Sequence, residues 1–366
     1  MFSGGTRSFW VLCYVIEFRW RCYTEAVTTG NRSIPPSCTV IPWCRRSVSW
    51  GRFGDSSPDI VRRRIAIVGA GAVGGYYGGK LSAAGEDVSF LVRSGLADLR
   101  REGLSVESPA GALHLPSPRV YDNSGEIGPV DLVIVAWKAT ANESYRKVIS
   151  PLLHSTTAIL TLQNGLGNTD KLAELFGADR VLGGLCFVCI NRLSLTRIRH
   201  LGQGLITMGE FEGGLTERLQ DLTECFEAAG IQCGAVRDLI HAQWVKLVWN
   251  VPFNGLCIAE GGITTEDLLS CPQGEQQVRS LMREVVAGAA ALGRRIAPEV
   301  LDKQIRSTRE MGDYRPSSMI DYLEGRDVEV EAIWKEPLRR AEQAGAKLPA
   351  WKRLLGRIRR RLEERG

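Results

Sequence analysis

Two groups of residues in this chain have types and spacings that could do chemistry. The first is Lys246, Asn250 and Asn254, set at four-residue intervals within Trp244-Val245-Lys246-Leu247-Val248-Trp249-Asn250-Val251-Pro252-Phe253-Asn254. At ~100° per residue, three such positions fall within about 80° of one another, so one helix face carries an ammonium and two amides. A positioned ammonium can stabilise charge developing on an oxygen and supply the proton that neutralises it. The same stripe could be a solvated face. Against that, no acidic residue accompanies it, and Trp244 and Trp249 point to a largely buried helix. Pro252 lacks the N–H that would bond back to Val248 and is expected to kink the helix.

The second group is Gly69-Ala70-Gly71-Ala72-Val73-Gly74, directly after the β-rich run Ile65-Ala66-Ile67-Val68 and opening a helical stretch over 73–84. This is where a dinucleotide loop must sit. The first glycine permits the tight turn, the second lets the backbone approach a pyrophosphate, and the third allows close packing of helix on strand. The phosphates would rest on the helix N-terminus. The next strand ends Leu91-Val92-Arg93-Ser94, without the Asp or Glu that holds the ribose hydroxyl of NAD. A guanidinium and a hydroxyl there suit a 2′-phosphate, so the expected cofactor is NADP(H).

The elements that must position these groups follow in order. Further strand candidates are 88–92, 132–136, 157–161 and 181–185, separated by segments long enough for crossover helices. That alternation predicts an α/β Rossmann-type, doubly wound parallel sheet. Beyond Val236 the pattern changes to helical segments at 238–260, 273–292, 297–310, 316–344 and 349–364, which predict an all-α C-terminal domain. The expected division is therefore a nucleotide-binding domain over 64–237 and a helical catalytic and substrate domain over 238–366.

Residues 1–63 read differently. The first fifty hold four of the ten Cys (Cys13, Cys22, Cys38, Cys44) and four of the nine Trp. A targeting presequence, a disulfide-stapled module and a start assigned too far upstream are all open readings, with Val61 well placed as an alternative start. The first 64 residues also carry ten Arg, no Lys and four acids, a net +6 against +5 for the whole chain. The body is nearly neutral and offers no electrostatic footprint for nucleic acid. No window approaches the ~18 apolar residues of a membrane span, so a cytoplasmic enzyme with a small-molecule substrate is expected. A homodimer is left open.

Several ordered motifs together carry a resemblance. From about Arg64 to the last helix the chain resembles the ketopantoate reductase family in the glycine loop, Arg93, Val135-Ala136-Trp137-Lys138, Leu162-Gln163-Asn164-Gly165, the Lys246 helix, and Pro316-Ser317-Ser318-Met319 through Glu329 to Glu331. The resemblance implies NADPH-dependent reduction of 2-dehydropantoate, a 2-oxo acid, to pantoate. Lys246 would then be the general acid that polarises and protonates the ketone. Asn164, Asn250, Asn254 and Ser317 would hold substrate oxygens, and Glu329 would grip a substrate hydroxyl or orient the lysine. Ala70, Ala72, Val73, Lys138 and Asn164 would join Gly69, Gly71, Gly74 and Arg93 around the cofactor. One departure from the family is that an asparagine many members carry downstream is not evident at Gly262-Ile263-Thr264-Thr265. Cys186-Phe187-Val188-Cys189 reads as packed thiols at a strand end, and His200, before Gly202-Gln203-Gly204, as a turn residue.

Overall fold

The run Arg64–Val68 forms strand β1, buried at every residue after the first. Ile65 and Ile67 join one apolar cluster, and Val68 and Ala66 join another on the opposite face. A strand buried on both faces must be apolar at every position, which is the signature of a sheet covered by helices on each side. A computed structural model describes residues 62–365 of the chain; the readings made for the N-terminal stretch, with its four cysteines, lie outside these residues.

Strands β2 (Asp87–Leu91), β3 (Leu104–Glu107), β4 (Leu113–Leu115), β5 (Arg119–Tyr121), β6 (Leu132–Val135), β7 (Ala158–Thr161), β8 (Val181–Arg192), β9 (Arg197–Glu210) and β10 (Cys233–Ala235) complete the sheet. Its order is β4-β3-β9-β8-β7-β6-β1-β2-β5, with β10 parallel to β9. From β5 to β8 every neighbouring pair is parallel. β2 and β5 lie on one side of β1, and β6 and β7 on the other. The crevice beyond the carboxyl ends of β1 and β6 is thus where such a sheet takes a ligand.

The expected parallel order gives way at β9, which runs antiparallel to β8. Only residues 193–196 join the two strands, and a connection that short can close a hairpin but cannot make a parallel crossover. β8 accordingly runs well past the expected end at 185, and Cys186 and Cys189 lie within it rather than at its end. His200 is not a turn residue either. It sits buried in β9, with Nδ1 2.9 Å from the Ser108 hydroxyl and its ring 4.6 Å from that of Tyr76. The irregularity read as a turn is a break in the ladder: Gln203 and Gly204 take positive φ within the strand.

Helix α1 (Ala72–Ala83) follows the glycine loop, and α2 (Leu239–Ala259) opens the helical part of the chain. α2 continues through Pro252 and buries Trp244, Val248, Val251 and Phe253 in an apolar core shared with α3 (Pro272–Ala291) and the later helices. The helix expected over 316–344 is broken. α4 (Ser317–Leu323) ends where Gly325 takes φ 69° and the Arg326 N–H bonds back to the Asp321 carbonyl at 2.8 Å. Such a left-handed glycine ends a helix by satisfying its last carbonyls. The chain resumes helical form as a π-turn at Glu331–Lys335 and a helix at Glu336–Gln343, before α5 (Pro349–Arg365). Among the described residues no helix is long and apolar enough to cross a membrane.

Candidate active site

The three glycines of the loop meet three different surroundings. Gly69 takes φ 97°, and a Cβ there would lie 2.7 Å from the Trp137 backbone nitrogen, so the turn after β1 presses on the segment after β6. At Gly74 a Cβ would lie 2.2 Å from the Gly69 carbonyl oxygen and 2.9 Å from Ile67 Cγ2, which leaves no room between helix and strand. A Cβ on Gly71 would meet nothing within 4 Å. The backbone there has open space beside it at the mouth of α1, at the sheet edge where a phosphate is cradled by helix N–H groups. These residues fit a dinucleotide. Arg93 and Ser94, at the end of β2, are exposed.

Lys246 projects from α2 toward the sheet. Its Nζ donates to Asn164 Oδ1 at 2.8 Å and to the Cys186 carbonyl at 2.9 Å. An ammonium has three N–H donors, and these bonds take two of them. Phe187 offers its ring face 5.4 Å away. Desolvation pushes the lysine below its ordinary pKa, while Cys186 and Glu329 oppose the shift. The Cys186 thiol is itself pushed up to about 11, chiefly by burial, with Lys246 pulling the other way.

A chain of amides supports Asn164 from behind. The Gln163 backbone N–H donates to the Thr161 hydroxyl, which donates in turn to Gln163 Oε1 at 2.8 Å. Gln163 Nε2 donates to Asn142 Oδ1 at 2.8 Å, Asn142 Nδ2 to Asn168 Oδ1 at 2.7 Å, and Asn168 Nδ2 to the Asn164 carbonyl at 2.9 Å. The Asn164 carbonyl can only accept, so Asn168 must turn its N–H to it and present its oxygen to Asn142. That end therefore fixes the sense of every amide back to Gln163, whose oxygen is left to accept from the Thr161 and Tyr145 hydroxyls.

Lys138 and Glu329 form a second group. Lys138, just past β6, donates to the Asp327 carbonyl at 3.2 Å and makes an ion pair with Asp321. Glu329 is buried and accepts from the Ala139 N–H at 2.7 Å. Burial raises its pKa, against the pull of that N–H and of Lys138 and Lys246. Glu329 acts on Lys246 through its charge, and no hydrogen bond joins the two side chains among the described residues.

The predicted site residues are therefore brought together unequally. Asn164, Lys246 and Asn250 line one cavity, with Gln163, Asn168 and Gln243. Asn254 is buried two turns further along α2 than Lys246, and its Oδ1 accepts from the Ser318 N–H at 3.0 Å, satisfying a first-turn donor of α4. Ser317 is exposed beside the buried Ser318. Sequence reasoning missed Gln163, Asn142, Asn168, Gln243 and Asp321. Gln243 lies three residues before Lys246 on the same helix face, so extending the stripe backward by one turn would have found it.

An open glycine loop and a half-buried ammonium set at the carboxyl edge of one sheet define an oxidoreductase built from a Rossmann domain and a helical domain. The protein-family model described as ketopantoate reductase PanE/ApbA matches residues 65–213, and its C-terminal counterpart matches 238–362. A 2-dehydropantoate 2-reductase from Nostoc sp. is 40% identical over 292 residues, which span 78% of this chain and 91% of that protein. One from Halobacterium salinarum is 27% identical over 81% of this chain and 98% of its own length. The crystal structure of 2-dehydropantoate 2-reductase from Geobacter metallireducens superposes with a TM-score of 0.80 at 44% identity, covering 81% of this chain and 99% of that one. This chain belongs to the ketopantoate reductase family.

Proposed function

We propose that the protein reduces 2-dehydropantoate to (R)-pantoate with NADPH. The observation that carries this reading is the state of Lys246, held at the cavity with two donors engaged and a third available to a ketone oxygen. NADPH, when bound, supplies the hydride. Gly69, Ala70, Gly71, Ala72, Val73 and Gly74 would hold its pyrophosphate and Arg93 its 2′-phosphate, with Lys138 and Asn164 at the same edge. As the ketone becomes an alkoxide, Lys246 stabilises the growing charge and gives up the proton from Nζ. Asn250 and the Asn254 amide N–H groups hold substrate oxygens, and Ser317 opens the helix that Asn254 ties down. Glu329 keeps negative charge near the lysine and favours the ammonium form. The test is the initial rate of NADPH oxidation, with a panel of branched 2-oxo acids beside 2-dehydropantoate. Saturable turnover that favours 2-dehydropantoate supports the reading, and a preference for another 2-oxo acid would replace the substrate.

The lysine sets the pH dependence. Reduction needs the ammonium form, and burial lowers the Lys246 pKa from its ordinary 10.5. The rate of reduction should therefore fall as pH rises through a midpoint below 10.5. Lys246→Arg should remove that limb, because guanidinium stays protonated throughout the range. A log kcat/KM profile in both proteins checks this, and an alkaline limb that persists in the variant assigns it to another group.

Cofactor choice is expected to rest on Arg93. Losing a charge-assisted phosphate contact of ~1.5–3 kcal/mol should weaken NADPH binding by about 10- to 100-fold in Arg93→Ala. NADH binding should change little. Equal losses for both nucleotides, measured by fluorescence titration, would rule out reading of the 2′-phosphate at this position.

A further inference from the structure

Among the amides that line the cavity, Gln243 is the one whose side-chain oxygen is fully buried without a hydrogen-bond partner. It lines the cavity with Asn164, Lys246 and Asn250, and three residues before Lys246 it lies on the same face of α2. The Oε1 of Gln243 is buried and has no hydrogen-bond partner among the described residues. Its neighbours differ. The side-chain oxygen of Gln163 accepts from Tyr145 and Thr161, that of Asn164 from Lys246, and that of Asn168 from Asn142. A buried acceptor without a donor destabilises the ligand-free protein, and an apolar side chain of the same shape would avoid that cost. Its presence at the cavity wall calls for a ligand that brings the donor.

The chemistry of the ligand narrows the choice. The ketone oxygen and carboxylate of a 2-oxo acid only accept hydrogen bonds, and the Lys246 ammonium and the Asn250 amide N–H groups are donors suited to them. An orphan acceptor in the same cavity requires a donor, and on a hydroxylated 2-oxo acid the donor is the hydroxyl. We infer that Gln243 is a specificity-determining residue, its Oε1 accepting a hydrogen bond from the hydroxyl of a hydroxylated 2-oxo acid bound at Lys246. This rests on the reduction of a 2-oxo acid proposed above. A site built to bond a substrate hydroxyl rejects the analogue without one more strongly than an apolar pocket rejects an added methylene, because the polar group on the protein is then left unpaired.

The experiment compares kcat/KM for 2-dehydropantoate and for trimethylpyruvate, the same skeleton with its hydroxymethyl group replaced by methyl, in wild type and in Gln243→Met. Wild type should prefer the hydroxylated acid by at least about 10-fold, from the cost of an unpaired buried acceptor. Gln243→Met should bring the preference close to unity by losing rate on 2-dehydropantoate alone, with NADPH affinity unchanged and a ligand-free Tm no lower than wild type. Gln243→Leu, of different shape, reads the same ratio should methionine pack poorly. An unchanged preference in the variants, or a lower ligand-free Tm in both, overturns the inference and leaves the reductase reading standing. Equal wild-type rates on the two acids do the same. Turnover of neither acid by wild type overturns both.

Discussion

Lys246→Ala should lower kcat for ketone reduction by about 10³-fold or more, within the range that general acids contribute and oxyanion donors add. That corresponds to about 4 kcal/mol of lost transition-state stabilisation. The size follows from what the side chain does at the reacting oxygen. Two of its donors are anchored to Asn164 and to the Cys186 carbonyl, so the third is held in place before the substrate arrives and little reorganisation remains. Removing it leaves Asn164 and Cys186 with unpaired oxygens, and it also removes an ammonium whose burial was unfavourable. These changes oppose each other in stability, so Tm should move much less than rate. NADPH affinity should stay near wild type, because the glycine loop and Arg93 lie on other elements. Small primary amines added to the variant should restore part of the rate in their protonated forms. Unchanged kcat would dismiss Lys246 as the acid, and a parallel loss of NADPH binding would make it a structural residue.

What the sequence revealed and what it hid divide along the range of the interactions. The glycine loop, β1, α1 and the lysine stripe are local patterns, in which a turn, a period of 3.6 or an apolar run is written within about ten residues. The parallel half of the sheet was legible for the same reason, since strands buried on both faces must be apolar throughout. β9 was not. Its sequence Arg197-Ile198-Arg199-His200-Leu201-Gly202-Gln203-Gly204 mixes charge and glycine, and it becomes a strand by pairing with β8 across a short connection. Arg197 and Arg199 both reach Glu107 on β3, some ninety residues away, a partner no window could show.

The site divides in the same way. Lys246, Asn250 and Asn254 could be found from spacing alone, but their different fates could not. Asn164 meets Lys246 from the loop after β7, some eighty residues away, while the Asn254 oxygen is taken up by Ser318. The chain from Thr161 through Gln163, Asn142 and Asn168 to Asn164 joins the stretch 161–168 to Asn142, some twenty residues earlier, each an ordinary polar residue until the fold closes. Lys138 shows the same. Its place after β6 is local, but its ion pair with Asp321 of α4 joins the sheet edge to the helical domain across a span no window covers.

The glycine loop offers the second large effect, because two neighbouring glycines should fail in different ways. Gly71→Ala adds a methyl to open space at φ −74°, a backbone that alanine adopts without strain. Stability should stay within about 0.5 kcal/mol of wild type or rise slightly as the unfolded chain loses freedom. The methyl does stand where a pyrophosphate must approach the backbone, and an overpacked contact of ~1–3 kcal/mol would weaken NADPH binding about 5- to 150-fold. Gly74→Ala should do the reverse. Its methyl would press on the Gly69 carbonyl at 2.2 Å, with Ile67 and Ala136 at 2.9 and 3.0 Å, and backbone cannot swing aside as a side chain can. The helix must lift from the strand, at a cost of about 1–3 kcal/mol or more, so Tm should drop by several degrees. Nucleotide affinity should fall with it, because the N–H groups at the mouth of α1 move with the helix. Thermal melts and NADPH titrations on the two variants separate the effects. If Gly71→Ala binds NADPH as tightly as wild type, the bare backbone at the mouth of α1 does not cradle the pyrophosphate, and the cofactor site must lie elsewhere on the sheet edge.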